Sequence, residues 1–285
     1  MKLELFRTLW GVSTPLDEIA HKLKEVGFQG VEARLPLTKE KREAFKLALK
    51  RNELDYIAIL FSGGNVIPNQ TETPQDHLAR FRTQIEFAAE LNATFINVLP
   101  GNDRWSMSQN VDFFGEAQML SEKSGMVCSF ETHRSTSLYS PWLTLELIRQ
   151  LPELKFTMDI SHWVLVCERL LNQAEDDLSE FLKRVYHIQA RVGYDQGAQV
   201  PHPAAPEYQQ ELKFHQNMWE RVWQYHQQQG RITTTMTTEF GPDGYLHHLP
   251  FTNVPVADLW SLNDWIATEE QAHFKHFIEN NLTKN

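Results

Sequence analysis

No apolar run in this chain approaches the roughly 20 residues that a membrane-spanning helix needs. Nor does it open with a basic segment, an apolar stretch and a small-residue cleavage site. The expectation is a chain that neither crosses a membrane nor carries a secretory signal and that works in the cytoplasm. Cysteine is scarce: Cys128 and Cys167 are the only two, too few for a disulfide framework and suited to a reducing compartment. Positive charge is in deficit, with 27 Lys and Arg against 37 Asp and Glu. The resulting net charge of −10 opposes tight binding to phosphate backbones, so nucleic acid is not an expected partner. A glycine-rich dinucleotide loop is also missing. Gly63-Gly64 is too short to cradle a pyrophosphate, which argues against a doubly wound nucleotide-binding sheet. No linker or low-complexity stretch divides the chain, and Gln227-Gln228-Gln229 reads as a solvated helix end.

What is present is an alternation of strand and helix with almost no interruption. Residues 3–12 read as a first strand, and Thr14-Pro15 then opens a helix with Leu16, Ile19, Ala20, Leu23 and Val26 on one face, stopped by Gly27. The same reading places strands at 30–35, 54–61 and 94–99, a strand ending at Glu131, another ending at Asp159, and strands at 186–192 and 232–239. Helices follow at 38–51, 75–91 and 107–124, from Trp142, from Asp177, and at 207–229 and 259–280. Eight such units use up residues 1–285, which predicts one (β/α)8 TIM barrel domain of the α/β class. Leu212, His215, Trp219, Trp223 and His226 share a helix face that should lie against the barrel. Trp260 and Trp265 are alternatives for core packing or for contact with a second copy in a homo-oligomer.

Four residues suited to a hard metal close strands of this pattern: Glu131, Asp159, His187 and Glu239. Intervals of 28, 28 and 52 residues separate them, the last lengthened by an insertion rich in Pro and Gln. Side chains two apart share a strand face. Thr157 therefore joins Asp159 inside the barrel, while Phe156 and Met158 face the helices. His187, Gln189 and Arg191 form one polar inner face, with Ile188, Ala190 and Val192 outside. Three carboxylates and one imidazole favour Mn²⁺, Mg²⁺ or Co²⁺ over a thiolate-type zinc site, with Zn²⁺ still open. Such an ion can act as a Lewis acid on a substrate oxygen, with carboxylates beside it able to move a proton. Glu32, His133, Arg134, Trp10 and Trp105 also lie near strand ends, where packing and substrate contact compete as explanations. His202 and His247-His248 read as loop residues.

Four motifs carry a family resemblance: Phe130-Glu131-Thr132-His133, Asp159-Ile160-Ser161-His162, Tyr186-His187-Ile188-Gln189-Ala190-Arg191 and Thr238-Glu239-Phe240-Gly241-Pro242. The chain resembles the xylose-isomerase-like TIM barrels, which include keto-sugar epimerases, hydroxypyruvate isomerases, inosose dehydratases and apurinic endonucleases. The resemblance implies that Glu131, Asp159, His187 and Glu239 are metal ligands and that Glu131 and Glu239 form an acid/base pair. It further implies that His162 and Arg191 touch substrate; His133 and Trp105 are further candidate contacts from their own positions near strand ends. A small carbohydrate is the implied partner, and a metal-dependent isomerase or epimerase the implied activity. The inosose-type dehydratase is the alternative. The endonuclease branch fits less well. Phe61-Ser62-Gly63 and Val98-Leu99-Pro100-Gly101 lack the histidines it places there, and Val200-Pro201-His202 stands where it carries Asp-x-His.

Overall fold

In the computed structural model, which describes residues 1–282, eight parallel strands close on themselves in sequence order, each hydrogen-bonded to the next and β8 to β1. The order is β1 (Lys2–Thr8), α1 (Leu16–Val26), β2 (Phe28–Arg34), α2 (Lys39–Asn52), β3 (Asp55–Phe61), α3 (Pro74–Glu90), β4 (Phe95–Leu99) and α4 (Met107–Ser124). It continues with β5 (Cys128–Glu131), α5 (Pro141–Gln150), β6 (Phe156–Met158), α6 (Ile160–Cys167), α7 (Ser179–Leu182), β7 (Val185–Ala190), α8 (Gln209–Gln228), β8 (Thr233–Thr238) and α9 (Leu259–Leu282). The (β/α)8 barrel expected from the alternation is therefore the fold observed.

Local chemistry sets the boundaries. Gly27 adopts a left-handed conformation (φ 98°) and its N–H closes the end of α1 on Leu23 and Lys24 carbonyls. Thr73 and Ser106 open α3 and α4 with reciprocal capping boxes. The first strand ends at Thr8, four residues earlier than expected, because Gly11 turns the chain with φ 79°. A second difference is α6, which starts directly after Asp159, whereas the helix expected after this strand was placed from Asp177. The Asp159 carboxylate is its cap, accepting the Ser161 N–H at 3.0 Å.

The barrel interior is stratified. Phe6, Ile57 and Phe95 plug its lower end, flanked by Val127 and Tyr186. Above them lies a polar stratum: Thr157 donates to Ser129 at 2.8 Å, and buried Glu32 accepts from Asn97 at 2.8 Å and from Gln189 at 2.9 Å. The outward faces join the main core with the helices. Ile188, Ala190 and Val192 of the β7 segment are there, as are Leu212, Trp219 and Trp223 of α8. The expected split of β7 into a polar inner and an apolar outer face is thus observed. Trp260 lies under the Arg7 guanidinium, 4.5 Å from Cζ, and Trp265 lies 5.7 Å from the His202 ring, so both make contacts within the chain. No helix among the described residues is long and apolar enough to cross a membrane.

Candidate active site

The upper stratum lies at the C-terminal ends of the strands. Glu131 is the last residue of β5, while Asp159, Arg191 and Glu239 each sit one residue beyond β6, β7 and β8. Glu131, Asp159 and Glu239 are buried, and each offers a carboxylate oxygen within 4.8 Å of the others. Arg191 ties two of them together. Its Nε donates to Asp159 Oδ2 at 3.1 Å, and its Nη2 contacts the same oxygen and lies 3.2 Å from Glu239 Oε2. Nη2 also lies 3.0 Å from His162 Nε2, which must accept.

Burial and crowding set the protonation of this cluster. Burial pushes the Glu131 carboxyl up to about 8, helped by the charges of Asp159 and Glu32 and opposed by the Asn97 amide, which donates to Glu131 Oε2 at 2.6 Å. Burial likewise holds Glu239 well above the usual carboxylate range, although Arg191 pulls it down. Burial would lower Arg191, but Asp159 and Glu239 more than compensate and keep it firmly charged. Burial brings His133 down to about 4, with Arg191 adding to the effect, and lowers His162 well below its ordinary value. Both imidazoles are therefore neutral at pH 7. The His133 Nδ1–H donates to the Arg134 carbonyl, leaving its Nε2 lone pair available beside Glu131.

Glu131, Asp159, Glu239, Arg191, His162 and His133 come together, and Glu131, His133 and His162 form a second group with donor atoms within 4.8 Å of one another. His187 does not join them. Its register partner is Thr157, one stratum below Asp159, and its ring is taken up by Thr235 Oγ1 at 2.8 Å and Thr237 Oγ1 at 3.0 Å. Its carboxylate neighbour there is Glu32, at 3.7 Å. Trp105 also lies elsewhere: it packs on His77 (centroids 4.7 Å apart) and Phe113 (5.4 Å), outside the cavity lining. His202 and His247 likewise sit away from the cavity.

A cavity of about 670 Å³ opens above the cluster, of a size that suits a small metabolite. Glu131, Glu239, Arg191 and His133 reach its floor, and Trp10, Arg34, Phe61, Arg134 and Tyr245 help to form its walls. Arg34, Asn97 and Tyr245 are site residues that the sequence reading did not single out. Asn97 interrupts the apolar run of β4, and Arg34 shares a strand face with Glu32, so alternation carries a signal for both. Tyr245 lies in the connection after β8, where no periodicity marks it.

Three buried carboxylates form a donor set that fits an oxygen-coordinated divalent ion. Glu239 Oε2 is buried without a hydrogen-bond partner. Asp159 is committed to Ser161 and Arg191, but each of its oxygens has a second acceptor site. The fit is through Glu131, Asp159 and Glu239, with His133 as an adjoining nitrogen donor and His187 one stratum below.

Residues 20–218 match the model of a family described as xylose isomerase-like TIM barrel. No curated protein matches the sequence. Among solved structures, the fold is similar to that of a D-tagatose 3-epimerase-like protein, at 16% identity and TM-score 0.59, covering 100% of this chain and 99% of that one. It is also similar to an L-ribulose 3-epimerase, at 12% identity and TM-score 0.61, covering 100% and 97%. A xylose isomerase-like TIM barrel protein from Mycobacterium smegmatis in complex with magnesium is similar at 11% identity and TM-score 0.63, covering 95% and 97%.

Proposed function

The chain belongs to the xylose isomerase-like TIM barrel family, and on that premise we propose that it is a divalent-metal-dependent isomerase or epimerase of a small keto sugar or related hydroxy-carbonyl compound. Two buried glutamates facing one cavity carry this reading. Glu131 and Glu239 approach from different strands, and burial raises both above the ordinary carboxylate range, Glu131 to about 8, as suits groups that give and take a proton. The fold similarity to an L-ribulose 3-epimerase and to a D-tagatose 3-epimerase-like protein supports the substrate class.

Each residue has a definable task. Asn97 holds one oxygen of Glu131 at 2.6 Å, leaving the other to meet a substrate C–H. Arg191 keeps Asp159 and Glu239 in place, and its Nη1, which has no partner, can donate to a substrate oxygen. His162, bonded to Arg191, fixes the guanidinium plane and is a positioning residue. Trp10 and Tyr245 wall the cavity and exclude water. When bound by Glu131, Asp159 and Glu239, a divalent ion supplies Lewis-acid polarisation of a carbonyl oxygen.

The test is turnover of a panel of ketoses by protein loaded with Mn²⁺, Mg²⁺, Co²⁺ or Zn²⁺, with products resolved by chromatography. Isomer or epimer formation that falls about 10²–10⁴-fold in Glu131→Gln and in Glu239→Gln is expected. Equal turnover by both variants would defeat the assignment, and a product lacking one water would move it to dehydration.

A further inference from the structure

We propose that the substrate carries an anionic group remote from its reacting carbons, and that Arg34 and Arg134 receive it at the rim of the cavity. The inference rests on the proton-transfer reading and adds the substrate's charge and direction to it. Arg34 ends β2 two residues beyond Glu32, and Arg134 lies three residues beyond Glu131; both line the cavity that Glu131 and Glu239 face. Each guanidinium is placed over an aromatic ring, Arg34 Cζ 4.6 Å from the Phe61 centroid and Arg134 Cζ 4.9 Å from that of Tyr245. Neither has an ion-pair or hydrogen-bond partner for its guanidinium among the described residues.

The other charges of the cavity are committed. Arg191 serves Asp159 and Glu239, and the carboxylate of Asp243 at the rim accepts the Trp10 indole N–H at 2.9 Å. An arginine oriented by a ring keeps its N–H edge free and matches two oxygens of a carboxylate or phosphate at once. At the floor the Arg191 guanidinium is taken up by Asp159 and Glu239, whereas the two rim guanidinia have no carboxylate partner, so an anionic end of the substrate is received at the rim while the hydroxy-carbonyl end points to Glu131 and Glu239. Phosphate and carboxylate share this oxyanion chemistry.

Calorimetric titration of the full chain with three probes tests the proposal: a neutral ketohexose, its terminal phosphate ester, and a keto sugar acid. At least one anion should bind about tenfold more tightly than the neutral sugar. Arg34→Gln and Arg134→Gln should each remove about tenfold of that affinity and leave the neutral sugar within about twofold. Arg34→Lys and Arg134→Lys should keep part of the gain. Preference for the ester identifies a phosphorylated substrate, and preference for the acid a sugar acid. Equal binding of all three probes, absence of binding by both anions, or anion affinity unmoved by both Gln variants overturns the proposal. Binding needs no turnover, so a protein that takes the anion but interconverts no sugar would sink the proton-transfer reading alone.

Discussion

Arg191 Nε donates to Asp159 Oδ2 at 3.1 Å, which joins the ends of β6 and β7 through a fully buried ion pair. Asp159 also caps α6 through its other oxygen, so one carboxylate links the barrel rim, a helix start and the guanidinium that steadies Glu239. Removing one partner of a buried pair leaves an uncompensated charge. Arg191→Met should therefore lower the unfolding free energy by about 3–5 kcal/mol, read by denaturant titration. A change below about 1 kcal/mol would mean that the pair is not structurally important.

The proposed ligand Asp159 and the histidine His187 lie on different strata of the barrel. Titration with Mn²⁺ should show at least about tenfold weaker binding in Asp159→Ala, a loss of about 1.4 kcal/mol or more. His187→Gln should retain binding, because His187 is held by Thr235 and Thr237 in the lower stratum. Loss of binding in His187→Gln with the fold intact by circular dichroism would restore the four-ligand set expected from sequence.

His215 predicts an acid sensitivity of the fold. Its Nδ1–H donates to the Glu211 carbonyl at 2.8 Å while Nε2 accepts the Gly193 N–H at 3.3 Å, an arrangement open only to the neutral ring. Burial brings its pKa down to about 4 from an ordinary 6.5. A depressed folded value means that the unfolded chain takes up the proton first. The contribution is therefore complete above about pH 6.5 and is lost as pH falls toward about 4. Unfolding free energy should drop by up to about 1.4 kcal/mol per pH unit from this group across that window, and His215→Gln should flatten the slope. An unchanged slope in the variant would contradict the assignment.

Gly241 controls the wall of the cavity. A Cβ there would lie 2.0 Å from the Trp10 ring, so Gly241→Ala must displace the indole from the cavity lining. The expected outcome is a KM raised about tenfold with a smaller change in kcat, the signature of lost substrate binding. Steady-state kinetics with unchanged KM would show that Trp10 does not touch the substrate.

The strand–helix alternation made the barrel legible, because period-two faces on β6 and β7 separate Thr157 and Gln189 from Met158 and Ile188 without any tertiary information. It also marked which residues face inward, Glu131, Asp159, His187 and Arg191 among them. Height within the barrel was not legible. It depends on the stagger between neighbouring strands, and the register between β6 and β7 shifts at Phe156/Thr157, which sets His187 one stratum below Asp159. Equal sequence intervals between Glu131, Asp159 and His187 carry no information about that stagger. Helix α6 was missed because its eight residues are apolar almost throughout, without the polar face by which a surface helix is recognised. Tyr245 joins the site through the path of the loop after β8, which is not written in local pattern.

Solvent hydrogen exchange tests the two-glutamate mechanism most directly. A ketose on which the metal-loaded protein acts would be incubated with it in D₂O, and recovered substrate and product analysed by mass spectrometry and NMR. Proton removal by one buried carboxyl and return by the other predicts deuterium at the carbon next to the carbonyl, with the rate of incorporation down about 10²–10⁴-fold in Glu131→Gln and in Glu239→Gln. Product formed with no deuterium from solvent, or incorporation undiminished in both variants, would contradict it.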